Sequence, residues 1–277
     1  MDTLQRAMAD ACLAEHAGDD LARDPRGFFE ARGASPEDVD ALLEAPRNLL
    51  VYRSLVRNGL SSVVFRILSG TRARLNAARA GQFDADLASF LDQAGPRTHY
   101  LRDVPGEFFG WTEARWRSDP DLPSYLPDLA SFELAHFGVA TSESTHAVDA
   151  VEEVTLDRPL AFAESARLAH YEWAVHELSP EAPGEAPERR TVHLLGYRDA
   201  AHSVHWVELT PLASAVLALL ISGEALGEAI RKACASHGAT LDGEREDIAR
   251  LLSDLGRRGV FFGAKGPRFL PHLADPR

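Results

Sequence analysis

The chain has 277 residues, 45% of them hydrophobic and 26% charged, with a formal net charge of −13; that is length enough for two domains with their own cores and an ordinary composition for a soluble protein. The acidity disfavours phosphate backbones and anionic lipid as partners, and Cys12 and Cys234, the only cysteines, exclude a disulfide framework or a CxxC pair. The longest apolar run, Ala213 to Ile221, is too short to span a bilayer, and Met1-Asp-Thr-Leu-Gln-Arg is no secretory signal, so a cytoplasmic location is expected.

The first half reads as helical. Leu4, Ala7, Met8, Ala11 and Cys12 fall at helical spacing from Thr3 to His16, with Gly18 as a stop. Ser35-Pro36-Glu37-Asp38 supplies an N-cap, Pro at the first helical position and acids in the first turn, ahead of Val39, Leu42 and Leu43. Pro46 to Asn58 follows, ended by Gly59, and then Ser61 to Leu68. Further helices are expected over Arg72 to Ala80, Phe83 to Ala94, Gly106 to Arg117 and Leu122 to Phe137. Phe108, Phe109, Trp111 and Trp116 form a stripe that reads as core rather than as a recognition patch.

Strand signals begin around His146, with Val148, Val151, Val154 and Leu156 closed by Asp157-Arg158-Pro159. Arg167 to Leu178 fits a strand or a short helix, and Ser179 to Arg190, with three Pro and three Glu, reads as a solvated loop. Thr191 to Arg198 and Ser203 to Leu209 form a hairpin. Thr210-Pro211 then opens a helix that ends at Ser222-Gly223. Glu224 to His237 stops at Gly238, a third helix is capped by Asp242, Val260-Phe-Phe262 returns as a strand, and Gly266-Pro267 turns the chain away. The fold class is therefore α+β: an all-α domain over residues 1–140, then a strand-bearing, winged-helix-like domain over 145–277.

Such a module holds DNA or a peptide. From Thr191 to Arg277 ten bases meet ten acids, and a DNA-binding face needs excess positive charge. The third module helix carries Arg245, Arg250, Arg257 and Arg258, but also Glu244, Glu246, Asp247 and Asp254. A winged-helix transcriptional regulator, with those four arginines on phosphates, is thus the alternative reading. A peptide added to the hairpin edge suits the charge better, with His205, Trp206 and Val207 and the helix residues Arg245, Ile248, Leu251 and Leu252 as its contacts. The same apolar residues could simply fill the module's core.

No GxSxG, GxxxxGK[ST] or GxGxxG motif marks the chain as hydrolase, NTPase or dinucleotide enzyme. Glu133-x-x-His136 has the spacing of a di-iron ligand pair but lacks a second ExxH among the helices, and His202 with His205 lacks a third ligand. A polar surface pair suits each better, so no metal or other cofactor is expected.

Leu50-Val51-Tyr52-Arg53, Val56-Arg57-Asn58-Gly59-Leu60, the Phe83 to Phe90 helix and Leu122-Pro-Ser-Tyr-Leu-Pro-Asp-Leu-Ala-Ser-Phe-Glu-Leu-Ala135 together resemble the N-terminal domain of the HvfC/BufC type, over about residues 45 to 137. Proteins of that type are partners of multinuclear non-haem iron oxidative enzymes that modify ribosomally made peptides. The resemblance implies a non-catalytic adaptor: it holds the precursor's leader in a C-terminal recognition element and docks on the iron enzyme. Tyr52, Arg53, Tyr125, Asp128 and Glu133 match the family motif and are expected at the partner face or in the framework beneath it. Phe65-Arg66 departs from the Phe-Pro of the family. Members have also been labelled DNA-binding from the winged shape, a fold-level analogy.

Overall fold

The computed structural model describes residues 3–14, 16–143, 150–151, 154–179 and 182–265. The strand residues expected at His146 and Val148 and the turn at Gly266-Pro267 lie outside the described residues. The chain divides into two compact units, Met1–Leu134 with Leu178–Ala186, and Ala135–Glu177 with Pro187–Arg277.

The first unit is built from helices α1 (Thr3–Leu13), α2 (Ala17–Arg23), α3 (Pro25–Glu30), α4 (Pro36–Leu43), α5 (Pro46–Ile67), α6 (Ser69–Ala78), α7 (Gln82–Gln93), α8 (Val104–Ser118) and the start of α9 (Leu126–Thr141). The cap at Ser35 forms as expected, its side chain accepting the Asp38 N–H. Helices α2 and α3 have no forerunner in the pattern: they bury only Ala17 and Leu21, and Phe28 and Phe29, too few apolar positions to show a period. Gly18 consequently lies inside a helix instead of stopping one. The Leu122 to Tyr125 stretch, expected as helix, is a turn leading into α9.

Gly59 does not end its helix either. Leu60, Val63, Val64 and Ile67 are all buried and carry the apolar stripe through it, so packing overrides the weak helix propensity of one glycine. A Cβ placed there would meet nothing within 4 Å. Gly59→Ala is expected to stabilise the chain by about 0.5–1 kcal/mol, read as a higher urea midpoint; an unchanged midpoint would contradict it.

Two side-chain layers hold this unit. Phe83, Phe90, Phe108 and Trp116 pack as an aromatic cluster with ring centroids 5.2–6.1 Å apart, so the aromatic stripe is core as expected; only Trp111 is half-buried. Arg53 and Arg57 donate to the Ala11 and Leu13 carbonyls, the last of α1, where the helix leaves acceptors unpaired and favours positive charge. The loop after Leu178 is irregular as expected but pinned at its start, since the buried Arg74 donates 2.9 Å to the Ser179 carbonyl.

The second unit holds two antiparallel three-stranded sheets. One has the order β1-β6-β2 and the other β3-β4-β5, from strands β1 (Ala150–Val151), β2 (Leu160–Phe162), β3 (Arg167–Tyr171), β4 (Val192–Arg198), β5 (Val204–Leu209) and β6 (Phe261–Lys265). Arg167 to Leu178 resolves as the strand β3 followed by a 3₁₀ turn over Val175–Glu177. Val154 and Leu156 are not in a strand, while Leu160–Phe162, just past the Asp-Arg-Pro turn, is. The returning strand β6 pairs with β1 and β2 and not with the hairpin.

Between β5 and β6 run α10 (Pro211–Ile221), α11 (Leu226–His237) and α12 (Leu241–Arg257). Thr210 caps α10 by accepting the Ala213 N–H, and Gly238 ends α11 at φ 65°, a left-handed conformation that glycine takes without a Cβ clash. Helix α12 starts at Leu241, so Asp242 is inside it and Thr240 takes the cap position. The helices bury Val216, Leu217, Leu220, Ile248 and Leu255 against Leu195, Tyr197 and Leu209 of the sheet. The opposite face of β4 meets the end of α9, where Arg198 donates to the Ala140 and Ser142 carbonyls at 2.9 and 2.6 Å. Strand β4 is thus central and covered on both faces, which leaves β5 at the edge of its sheet.

Candidate functional site

Strand β5 is paired with β4 on one side, and among the described residues no strand pairs with its other side. Beside that edge lies a groove of about 250 Å³ between β5, α12 and the first turn of α10. Its apolar lining is Val207, Leu209, Leu212, Ala213, Ile248 and Leu251. Strand alternation produces this: residues 205, 207 and 209 face the helices, and 206 and 208 face away. The groove exists because α10 leaves the strand directly through the Thr210-Pro211 cap, so Leu212 and Ala213 close one end of it. An unpaired strand edge beside apolar pockets can accept an extended peptide by main-chain hydrogen bonds, with alternate side chains seated in the groove.

The residues expected to contact a peptide divide accordingly. Val207, Ile248 and Leu251 line the groove, Ile248 being also part of the core. Leu252 packs on the core without lining the groove, and Arg245 is exposed outside the lining. His205 is on the helix-facing side but at the turn end of β5, its ring stacked on Tyr197 at 5.3 Å and its Nε2 2.7 Å from Asp199 Oδ2. That bond holds the Asp199 carboxyl below its usual range. Trp206 is on the other face, where its ring covers Gly196 and its Nε1 donates 3.2 Å to His136 Nδ1. A Cβ on Gly196 would come within 2.6 Å of that ring. Leu212 and Ala213 were not singled out in the sequence; their signal is the capped helix that begins one residue after the strand.

Of the motif residues in the helical unit, Tyr52 alone is exposed, at 52%, beside Val51 and Leu55 at 57% and 65%. Arg53 is buried on the end of α1. Tyr125 is buried beside Arg74, and burial pushes its phenol up. Asp128 is buried in the first turn of α9, with Arg117 3.8 Å away. Glu133 caps α6, accepting from the N–H groups of Gly70 and Thr71 at 2.7 and 3.0 Å and from Thr71 Oγ1 at 2.6 Å. These four belong to the framework of the unit rather than to its surface.

Glu133 and His136 are therefore engaged separately and do not converge as ligands. Among the described residues, the one group with metal-ligand spacing is His176, Glu177 and Glu208. Its space is taken by the Arg190 guanidinium, 2.5 Å from Glu208 and 2.6 Å from Glu177. Arg190 already supplies the positive charge, and it holds the Glu208 carboxyl low.

Three of the four arginines on or just after α12 are tied to acids of that helix. Arg250 meets Asp247 at 2.8 Å, and Arg257 and Arg258 meet Asp254 at 3.4 and 2.7 Å. Arg231 and Lys232 on α11 pair likewise with Glu228 and Glu224.

Residues 163–256, which span both edges of this sheet and all three helices nearly to the end of α12, match the family model described as the HvfC C-terminal domain. Over those residues, about a third of the chain, the protein is similar to that domain. That family is one of partner proteins, and the HvfC C-terminal domain places the β5–α12 groove in the part of the chain the match covers. No curated protein matches the chain. Among the described residues, no helix is long and apolar enough to cross a membrane.

Proposed function

We propose that the chain is a non-catalytic adaptor that binds the leader of a ribosomally made precursor peptide in the β5–α12 groove and presents it to a multinuclear non-haem iron oxidative enzyme. Oxidation takes place in the partner, and the adaptor holds no cofactor of its own. The observation that carries the reading is the open edge of β5 beside an apolar groove, within the HvfC C-terminal domain. The division of labour follows the two ends of the chain: the strand-bearing part takes the leader, and the helical part docks the enzyme. Tyr52, with Val51 and Leu55, supplies the docking contact on α5, since exposed apolar side chains grouped on one helix face favour a protein interface.

DNA binding is disfavoured because Arg250, Arg257 and Arg258 share their charge with Asp247 and Asp254, and those acids would sit close to phosphates. The test is co-expression with an iron enzyme encoded beside it. A stoichiometric complex is expected, with no mobility shift on duplex DNA at about 150 mM salt. A shift without co-purifying enzyme would favour the transcriptional regulator. The docking face is tested by Tyr52→Asp combined with Leu55→Asp. This pair should lower enzyme recovery at least about tenfold, the scale of one interface hot spot, with an unchanged melting curve. Full recovery would move the docking face elsewhere.

A further inference from the structure

We infer that the β5–α12 groove selects a cationic peptide segment, one that alternates apolar side chains with lysine or arginine. The inference rests on the groove being the leader site and names the chemistry of its occupant. The groove lining contains three carboxylates, Glu208, Glu244 and Asp247, and no lysine or arginine. Val207, Leu209 and Leu251 give the groove its apolar lining, Glu244 and Asp247 border it from α12, and Glu208 borders it from the strand while its side chain faces away from the helices.

The carboxylates differ in what they can do. Glu208 is engaged by Arg190 through two oxygens. Among the described residues Asp247 meets Arg250 alone, in a pair whose side chains are 71% and 74% exposed, and such pairs exchange easily because each is worth little. Glu244 is half-exposed one helical turn before Asp247, on the same side of α12. A strand laid along β5 sends alternate side chains to opposite faces. Those turned toward α12 enter the apolar floor, and a long cationic side chain can lie along it while its charge reaches Glu244 and Asp247 at the rim. An acidic segment would bring like charges beside Glu244 and Asp247. The chain's net charge of −13 adds a field that draws a cationic peptide in and repels an anionic one.

The test is selection of a displayed library of random peptides of about ten residues, the upper length of a strand, on the full chain. Binders count as groove-dependent when they are lost on Ala213→Trp, which fills the groove without changing charge. Leu251→Asn serves as a second groove variant, and melting curves confirm that both are folded. Groove-dependent binders should carry an excess of Lys and Arg over Asp and Glu relative to the unselected library. A synthesised binder should lose about tenfold in affinity on combined Glu244→Gln and Asp247→Asn. Groove-dependent binders without that excess, or indifferent to the double substitution, would overturn the charge selectivity and leave the groove as a peptide site. A selection yielding no groove-dependent binder would overturn the leader-binding reading as well.

Discussion

Trp116→Ala is expected to cost the helical unit about 3–5 kcal/mol, the range for removing a buried indole from a packed core. Trp116 is 2% exposed and sits among Phe83, Phe108 and Phe109 with centroids 5.9–6.3 Å away. Its Nε1 donates 2.8 Å to Asp86 Oδ2, and Asp86 is itself only 4% exposed. The substitution opens a cavity and removes one donor from a buried carboxylate that then has Gln82 and Arg115 left. Trp116→Phe separates the two effects: it keeps most of the ring volume and loses the N–H, so it should cost about 1–3 kcal/mol. Urea unfolding followed by far-ultraviolet circular dichroism reads both. A loss below about 1 kcal/mol for the alanine variant would mean that the cluster is not the support it looks to be.

Removal of the Glu133 carboxylate should be the second largest effect, about 2–4 kcal/mol for Glu133→Ala, because three donors at the start of α6 lose one shared acceptor. The pH dependence has a definite sign. Burial raises the Glu133 carboxyl above its ordinary value, and the bonds from Thr71 and Gly70 only partly offset this. A carboxyl raised in the folded state is favoured there when protonated. Its contribution is therefore full below the unfolded value, near 4.5, and declines as pH rises through the higher folded value. Glu133→Gln removes the titration, so stability measured from about pH 4 upward should fall in the parent and lack that component in the variant. Superimposable pH profiles would show that Glu133 titrates as it does in the unfolded chain.

These two substitutions also separate framework from surface in the set of motif residues. For Arg53, Tyr125, Asp128 and Glu133 the sequence leaves partner face and framework both open, because a motif shows that residues occur together, not which way they point. Each turns out to satisfy a helix end or a buried neighbour, as Glu133 does for α6 and Arg53 for α1. Tyr52, next to Arg53 in sequence, is open to solvent while Arg53 is buried. One step along a helix turns a side chain by about 100°, enough to separate a surface residue from a structural one.

Local chemistry determined much of this protein in advance. Ser35-Pro36 and Thr210-Pro211 set two helix starts, Gly238 set a helix end, and the hairpin and the three helices of the C-terminal part follow their periodicity. Each of those signals acts within a few residues of chain, through a cap, a turn conformation or an apolar repeat. What only the tertiary structure decided is what those elements face. Gly59 stays helical because buried residues on either side of it share one stripe. Trp206 leaves the predicted site because its neighbour Val207 takes the helix-facing side of β5. Leu212, Ala213 and the carboxylates Glu244 and Asp247 join Val207 in one groove although more than thirty residues separate the strand from α12. Sequence fixes the period of a strand or a helix, but the burial of one face against a distant element chooses the phase, and the phase decides which side chains a ligand can reach.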